Sequence, residues 1–145
     1  VDINAPHTPE KYVEFFEFAE AEGYQILILD SGTHEWRGKG GILDIVSKNF
    51  NNWKDATPRH DKFVEALTNS NMHVIMTTRS KDQYSVGTDD RGKSKVEKLG
   101  VGTTTREDFE YEFTCTFLIA KGTNSAESQK DNTHIFENVG SAVLS

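Results

Sequence analysis

The apolar run Gln25-Ile26-Leu27-Ile28-Leu29-Asp30-Ser31, between Gly23 and Gly32, decides the fold of this chain. Branched aliphatic residues follow one another without a polar break, and the run ends on an acid. A short continuous apolar run bounded by glycines predicts a β-strand that is buried on both faces. Both faces of a strand are covered only where helices pack on each side of the sheet. The run therefore predicts a central strand of an α/β sheet.

Asp30 is placed at the carboxyl end of this predicted strand. In open α/β sheets, ligands bind beyond the carboxyl ends of the strands. A carboxylate there can hold Mg²⁺, directly or through water, beside the phosphates of a nucleotide, which is the arrangement of a Walker B element. The strand alone is equally compatible with a simpler interpretation, because Asp often ends strands where it starts a turn or caps a helix.

The composition is that of a somewhat polar globular chain. It has 145 residues, of which 35% are hydrophobic and 27% charged, and a net charge of -7. This length suffices for one domain with a core, and the negative charge argues against a cationic nucleic-acid binder. A single cysteine, Cys115, excludes an internal disulfide and fits a reducing cytoplasm. No apolar run approaches the ~20 residues of a membrane span, so we expect no membrane partner.

One helix is predicted before the central strand in the sequence and two are predicted after it. Apolar spacing and caps place these three helices over residues 10–22, 42–50 and 59–69. Thr57-Pro58 is interpreted as the cap and first-turn proline of the third helix. On that helix, Arg59, His60 and Lys62 are expected to face solvent or a partner. The chain opens with Val1 directly onto a helix, so we expect a piece of a longer protein.

A second apolar run, His73-Val74-Ile75-Met76-Thr77-Thr78, predicts another buried strand. Because helices separate the two strands in the sequence, parallel pairing is expected. Arg79 would then lie at the same sheet edge as Asp30, where a phosphate-sensing group belongs; a surface salt bridge explains it equally well. The later segments predict a hairpin over residues 81–98, a loop over residues 100–108 and a third strand over residues 110–120. They further predict a polar loop over residues 121–132 and a short last strand over residues 133–137.

The segment Gly87-Thr88-Asp89-Asp90-Arg91-Gly92-Lys93-Ser94 matches the phosphate-loop pattern G-x-x-x-x-G-K-[ST] at every position. A phosphate loop needs a buried strand before it and a helix after it. Here the preceding residues are mostly polar, and the following residues have no helical apolar face. Asp89 and Asp90 would also place two negative charges inside an anion site. We therefore interpret the segment as the tip of a charged β-hairpin.

Glu35 is the best candidate for a general base. It follows Asp30 by a short loop, from which its carboxylate could orient a water molecule on a γ-phosphate. An ordinary loop acid is the alternative interpretation. The sequence has no pair of His residues at a metal-ligand spacing, and one cysteine cannot build a zinc site.

Several segments together resemble the phage-encoded, RecA-like AAA-type P-loop ATPases. They follow the order of that family and cover roughly residues 8 to 137. The segments are Ile26-Leu27-Ile28-Leu29-Asp30-Ser31 with Thr33-His34-Glu35-Trp36, then Thr57-Pro58-Arg59-His60, His73-Val74-Ile75-Met76-Thr77-Thr78-Arg79-Ser80-Lys81, and Arg106-Glu107-Asp108-Phe109-Glu110-Tyr111-Glu112-Phe113.

The resemblance implies an α/β fold with a RecA-like P-loop NTPase core, a mostly parallel sheet with flanking helices and a protruding β-hairpin. Residues 1–145 would form a single partial domain that runs from Walker B to the C-terminal strands. The first strand, the Walker A motif and the first helix would lie upstream. The resemblance also implies ATP and Mg²⁺ as cofactors. It further implies a phage or prophage protein of DNA recombination or replication, located in the cytoplasm of the bacterial host. Its partners would be further copies of itself in a homo-oligomer, and single-stranded DNA or a single-strand binding protein.

The resemblance also gives roles to individual residues. Asp30 would be the Walker B acid that reaches Mg²⁺ through water, with Ser31 beside it at the nucleotide. Glu35 would polarise the attacking water, and Arg79 would act as a residue of the sensor strand.

Lys130 would be the third catalytic residue. The segment Lys130-Asp131-Asn132-Thr133 resembles the Lys-Asp-Arg-Thr element of the family, whose basic groups reach the nucleotide of a neighbouring subunit. Asn132 stands where the family has Arg, which speaks against an intersubunit arginine finger.

Without an upstream Walker A, the chain would lose several charge-assisted phosphate contacts, each worth ~1.5–3 kcal/mol. We therefore expect the isolated chain to bind nucleotide very weakly and to be inactive. The alternative is a non-catalytic binding or assembly module that keeps a RecA-like fold and has lost nucleotide use.

Overall fold

The computed structural model describes residues 2–48, 50–88 and 94–143. The chain divides into two compact units, Val1–Glu107 and Asp108–Ser145. The first unit contains four helices and four strands in its described part: α1 (Pro9–Ala21), β1 (Ile26–Asp30), α2 (Thr33–Arg37), α3 (Ile42–Ser47), α4 (Trp53–Thr68), β2 (His73–Thr77), β3 (Ser80–Thr88) and β4 (Ser94–Thr103).

Strands β1 and β2 pair in parallel, as the sequence predicted. Their register runs from Ile26 opposite His73 to Asp30 opposite Thr77, so both strands end at the same edge of the sheet. Within the described residues this sheet has two strands. The fold is therefore mixed α/β with small sheets, and the parallel part comprises two strands.

The prediction that β1 is buried on both faces is wrong. Burial alternates along the strand: Leu27 and Leu29 are buried, whereas Ile26 and Ile28 are 57% and 64% exposed. Ile75 on β2 shares this exposed side of the sheet. Side chains on a strand alternate between its two faces, so the buried leucines show that one face of the sheet belongs to the core. The unbroken apolar run concealed this alternation, because both faces carry aliphatic residues.

Helices α1 and α4 form the centre of the core. Tyr12 and Phe16 of α1 pack against Phe63 of α4, with ring centroids 5.5 and 6.3 Å apart. All three rings are at most 2% exposed. Helix α1 starts with Pro9 at its first helical position and ends before Gly23, whose φ of +75° suits a residue without Cβ. Here the predicted helix over residues 10–22 is confirmed.

An ion pair links the exposed sides of the same two helices. Arg59 Nε and Nη2 donate to the two carboxylate oxygens of Glu10 at 2.5 and 2.7 Å. This bidentate hydrogen bond holds the pKa of Glu10 at about 2, well below its usual range. The pair therefore fixes the start of α1 against the middle of α4.

Two predictions about α4 are wrong. The helix begins at Trp53, so Thr57-Pro58 does not start it and Pro58 lies inside. His60, expected at the surface, is 2% exposed. Both errors have one cause. Buried residues recur at helical spacing on both sides of Pro58, and they hold this face of the helix in the core. These residues are Ala56, His60, Phe63 and Leu67.

Strands β3 and β4 form the predicted antiparallel hairpin, with Ser80 opposite Thr103 and Thr88 opposite Ser94. Residues 89–93 of the phosphate-loop look-alike lie outside the described residues. The segment that follows them is strand β4, not a helix, so the hairpin interpretation is confirmed. Strand β4 also extends to Thr103, into the predicted loop over residues 100–108.

The second unit contains a 3₁₀ turn (Phe109–Glu112) followed by β5 (Cys115–Ile119), β6 (Ser125–Asp131) and β7 (Ala142–Val143). These strands form an antiparallel sheet in the order β5-β6-β7. Three predictions need correction. The third strand starts at Cys115, the predicted polar loop over residues 121–132 contains β6, and the predicted last strand over residues 133–137 is a turn. Strand β6 escaped prediction because its sequence has no alternating apolar side chains.

No helix in the described parts of the chain has the length and apolar character needed to cross a membrane.

Candidate functional site

The edge where β1 and β2 end carries the predicted Walker B acid. Asp30 is exposed there, and its Oδ1 accepts a hydrogen bond of 2.5 Å from the Thr77 hydroxyl on the paired strand. The next residue, Ser31, is half-buried, and the peptide bond between Asp30 and Ser31 is cis. This edge therefore presents carboxylate and hydroxyl oxygens, the ligand type that Mg²⁺ prefers.

Two hydrogen bonds tie the start of α2 to the end of β2 and the residues that follow it. The Gly32 N–H donates to the Thr77 carbonyl at 3.0 Å, and the Arg79 N–H donates to Thr33 Oγ1 at 2.9 Å. Gly32 also packs so closely on Met76 that a Cβ at this position would overlap its side chain. The structure thus brings Asp30, Ser31 and Arg79 to one edge, with the Arg79 side chain exposed.

Glu35 occupies a different environment from Asp30. It lies on α2 and is 1% exposed, so the loop-acid interpretation is wrong. His60 Nδ1 lies 3.1 Å from each of its two carboxylate oxygens. Burial raises the pKa of Glu35, and the hydrogen bond from His60 opposes this rise. Glu35 and His60 together are called the buried pair below.

Aromatic rings surround the buried pair. The Trp36 ring meets the His60 ring edge-on at 5.1 Å, and Trp53 lies 6.2 Å from Trp36. Burial, and after it the charge of Glu35, raises the pKa of Tyr12 to about 12. Sequence reasoning missed His60 as a partner of Glu35. The signal was present in the helical spacing of His60 with Phe63, but the assumed helix start at Pro58 obscured it.

Lys130 lies on β6 in the second unit. Its Nζ donates to the carbonyl oxygens of Tyr111 and Phe113, both at 2.6 Å, and lies 5.7 Å from the centroid of the Tyr111 ring. These contacts hold the end of β6 to the preceding 3₁₀ turn. The next residue, Asp131, accepts hydrogen bonds from Thr133 and Phe136 and so organises the following turn.

The donor set around Asp30 fits a cation that is held mainly by water and phosphate. Among the described residues, no group of three His, Cys, Asp or Glu side chains could hold a metal ion. Mg²⁺ commonly binds through one or two carboxylates and completes its octahedron with waters and phosphate oxygens. A single exposed Asp beside a hydroxyl is compatible with that mode and would not suit a zinc site.

A family-level comparison gives the class of protein. The model of the AAA domain family matches residues 2–137, and the chain therefore belongs to this family. The match supports the resemblance to AAA-type P-loop ATPases and indicates nucleotide-binding ATPase activity, which usually requires Mg²⁺. No curated protein and no solved structure gives a significant match to the chain.

Proposed function

We propose that this chain is the Walker B and sensor portion of a RecA-like P-loop ATPase that acts in phage or prophage DNA recombination or replication. The first strand, the Walker A motif and the first helix of the ATPase would lie upstream of it. The upstream part would bind the β- and γ-phosphates, and this chain would supply the groups that act on the metal and on the attacking water.

The observation that carries this proposal is the position of Asp30. It is exposed at the carboxyl end of a parallel strand, and the Thr77 hydroxyl on the paired strand donates to it. Ligands of α/β sheets bind beyond this edge. The family membership makes a nucleotide the expected ligand there.

Three residues at the edge, and Glu35 on the neighbouring helix α2, have roles in the proposed reaction. Asp30 would orient the waters of Mg²⁺, which neutralises phosphate charge when it is bound. Ser31 would lie next to the nucleotide, and exposed Arg79 would sense the γ-phosphate. Glu35 would take one proton from the attacking water. The water oxygen would then form a bond to the γ-phosphorus, while the bond to the β,γ-bridging oxygen breaks and its electron pair leaves with ADP.

Lys130 would act between subunits of a homo-oligomer. Its Nζ would have to exchange the carbonyls of Tyr111 and Phe113 for a phosphate oxygen of a neighbouring nucleotide. In the protein that includes the upstream segment, Lys130→Ala is therefore expected to lower hydrolysis only under conditions in which the protein oligomerises.

A second candidate is a non-catalytic binding or assembly module with the same fold. The observation that favours it is the burial of Glu35, because a carboxylate that is 1% exposed does not contact solvent. Hydrolysis measurements separate the two candidates, since such a module would turn over no ATP even with the upstream segment present.

The decisive experiment is a titration of Mg-ATP, with steady-state hydrolysis, on the protein that includes the upstream segment. Asp30→Asn should abolish hydrolysis, while Asp55→Asn, which removes an exposed carboxylate on α4, should leave it unchanged. Full hydrolysis by Asp30→Asn would refute the Walker B role.

Single-stranded DNA or a single-strand binding protein is the proposed partner. The net charge of -7 means that DNA contacts must come from a local basic group, for which the hairpin residues Lys93 and Lys95 are candidates. If they bind phosphates, affinity for labelled single-stranded DNA falls with rising salt, and Lys93→Ala with Lys95→Ala reduces that dependence. An affinity that is independent of salt would contradict this role.

A further inference from the structure

Two histidine side chains away from the candidate edge lie against each other. The ring of His7, which precedes α1, stacks on the ring of His34 on α2, with centroids 5.0 Å apart and planes inclined by 26°. Both residues are half-buried. Imidazole is the side chain whose ordinary pKa lies closest to neutral pH. These two rings, called the imidazole stack below, can therefore change their charge within the physiological range.

The stack joins the segment before α1 to the loop that follows α2. Residues 6–7 are called the strap and residues 38–41 the glycine loop. The His7 N–H donates to the Lys39 carbonyl at 2.7 Å. A Cβ on Gly38 would lie 2.8 Å from His7 Cδ2, which is closer than side chains approach each other. The strap therefore packs directly on the backbone of the glycine loop, and glycine makes this approach possible.

The environment of His7 suits a neutral ring. Its Nδ1 is buried and has no hydrogen-bond partner among the described residues. A neutral imidazole can keep its one proton on Nε2 and leave Nδ1 unprotonated, whereas an imidazolium carries an N–H on both nitrogens. Protonation would therefore bury a donor that has no acceptor, which is costly. Burial, and after it the charges of His34 and Lys11, lower the pKa of His7.

Charges on the neighbouring elements act in the same direction. The groups that are positive, or become so on protonation, are His34 and Arg37 on α2, Lys11 on α1 and Lys39 in the glycine loop. The carboxylate of Asp44 on α3 accepts from the Gly40 N–H at 2.8 Å. Within the described ranges, no carboxylate forms an ion pair with either ring of the imidazole stack. A positive charge gained by the stack is therefore not compensated there, and like charges at this separation repel.

We propose that the imidazole stack is a proton-sensitive clasp: neutral rings hold the strap on the glycine loop, and uptake of a proton by His7 favours its release. In the released strap His7 would titrate near its ordinary value of 6.5, whereas the closed strap resists the proton. The closed form is therefore fully stabilised above pH 6.5 and loses stability as pH falls below it. One extra proton in the released form shifts the equilibrium by at most about tenfold per pH unit.

Release should remain local to the end of α2 that carries the glycine loop. The start of α2 is held separately, because Gly32 donates to the Thr77 carbonyl at 3.0 Å and the Arg79 N–H donates to Thr33. Burial raises the pKa of Glu35, so its contribution to stability changes with pH in the opposite direction. A loss of the strap contact at low pH therefore does not come from Glu35.

The first test measures the strap contact in the wild-type protein with the upstream segment present. Amide exchange followed by NMR gives the protection factors of the His7 and Gly32 N–H groups at about pH 7.5 and about pH 5.5. Protection of His7 should fall by about two- to tenfold at the lower pH, while that of Gly32 should not change. Equal protection of His7 at the two pH values would overturn the clasp. An equal fall at both amides would also overturn it, because the loss would then be general.

The second test replaces the titrating ring. His7→Phe keeps a flat ring that can stack on His34 but cannot take up a proton, so protection of the amide at this position should lose most of its pH dependence. His73→Phe is the matched control: it removes an exposed histidine at the start of β2 and should keep the full pH response. A full response in His7→Phe would overturn the role of the imidazole.

The outcomes separate this inference from the proposed function. The clasp involves neither a nucleotide nor the edge that carries Asp30, so hydrolysis by Asp30→Asn bears only on the proposed function. Protection of the His7 N–H bears only on the clasp. If His7→Phe does not fold, the comparison of the two pH values in the wild-type protein decides.

Discussion

Asp30 and Glu35 are carboxylates close together in the sequence, yet the structure places them in opposite environments. Asp30 ends a strand, is exposed and accepts one hydrogen bond from a hydroxyl. Glu35 lies on the next helix, is buried and is paired with an imidazole from α4. An exposed carboxylate keeps its hydration and can exchange water for a cation. A buried one depends on its protein partner, because the lost hydration must be replaced.

The difference shows that a chemical role cannot be assigned from residue type and spacing alone. Both acids fit the pattern of a nucleotide hydrolase, but only Asp30 is accessible to a ligand in this conformation. The following changes test how far this contrast extends, beginning with the largest expected effect.

Removing the partner of Glu35 should have the largest effect on stability. His60→Leu leaves a buried carboxylate without its hydrogen-bonded partner, and the free energy of unfolding should fall by about 3–5 kcal/mol. Urea denaturation followed by tryptophan fluorescence measures this change. The double variant Glu35→Met with His60→Leu should recover most of the loss, since no buried carboxyl group is left without a hydrogen-bond partner. A loss in the single variant of less than about 1 kcal/mol would show that the pair contributes little.

The two faces of β1 offer a matched comparison on one strand. Leu29→Ala removes a side chain that is 5% exposed and should cost about 2–5 kcal/mol, towards the lower end because neighbours on a small sheet can relax. Ile28→Ala removes one that is 64% exposed and should cost less than about 1 kcal/mol. Equal losses in thermal or urea denaturation would mean that the open face of the sheet is covered in solution.

Glu35 and Glu10 should give stability curves with opposite dependence on pH. Burial raises the pKa of Glu35, so the folded state keeps this proton to higher pH than the unfolded state. Stability is therefore lost as pH rises above the unfolded value of about 4.5 and through the raised folded pKa. Glu35→Gln should remove that loss.

The contribution of Glu10 to folding stability should depend on pH in the opposite direction. The hydrogen bond from Arg59 lowers its pKa from 4.5 to about 2, so its stabilisation is present above pH 4.5 and disappears as pH falls towards 2. Because the pair is well exposed, Glu10→Gln should cost only about 0.5–1 kcal/mol at pH 7 and nothing near pH 2. Denaturation at several pH values measures the direction of each effect. If the stability of Glu35→Gln and that of Glu10→Gln changed with pH in the same way, the opposite pKa shifts of the two residues would be contradicted.

The smallest expected effect on stability is that of Asp30→Asn. The side chain is exposed and an amide can still accept from Thr77, so the free energy of unfolding should change by less than about 0.5 kcal/mol. Thermal denaturation alongside the wild type measures it. A large loss would give Asp30 a structural role and would weaken the interpretation of any loss of hydrolysis.

The sequence predicted the elements whose signal is local and strong. The apolar runs around Leu27 and Ile75 gave two strands, and their separation by helices gave the correct parallel pairing. The glycine after α1 correctly predicted the end of that helix, and the polar segment that contains β3 and β4 correctly predicted a hairpin. Predictions failed where tertiary packing overrides a local rule, as at Pro58, which a buried helix face carries through the interior of α4.

The candidate site was predictable only in part. The chain order places Asp30 and Arg79 at one edge once the strands pair, and the pairing follows from the sequence. The contact between Glu35 and His60 joins two helices that are separate in the sequence, so no local pattern contains it. Likewise, the carbonyl partners of Lys130 depend on how the turn before β5 folds back on β6.

The parallel pairing of β1 with β2 also has a kinetic consequence. Asp30 and Thr77 meet across 47 residues of chain, and closing a loop of that length costs about 3 kcal/mol of entropy before any strand contact forms. Strands β3 and β4 are near in the sequence, with Thr88 opposite Ser94, so their pairing avoids most of this cost. Pulse-labelled amide exchange during refolding should therefore find the hairpin protected before Ile28 and Ile75, and the reverse order would contradict this sequence of events. The edge that carries Asp30 would then be among the last parts of the first unit to form, so a newly synthesised chain would complete its framework before it acquires its candidate site.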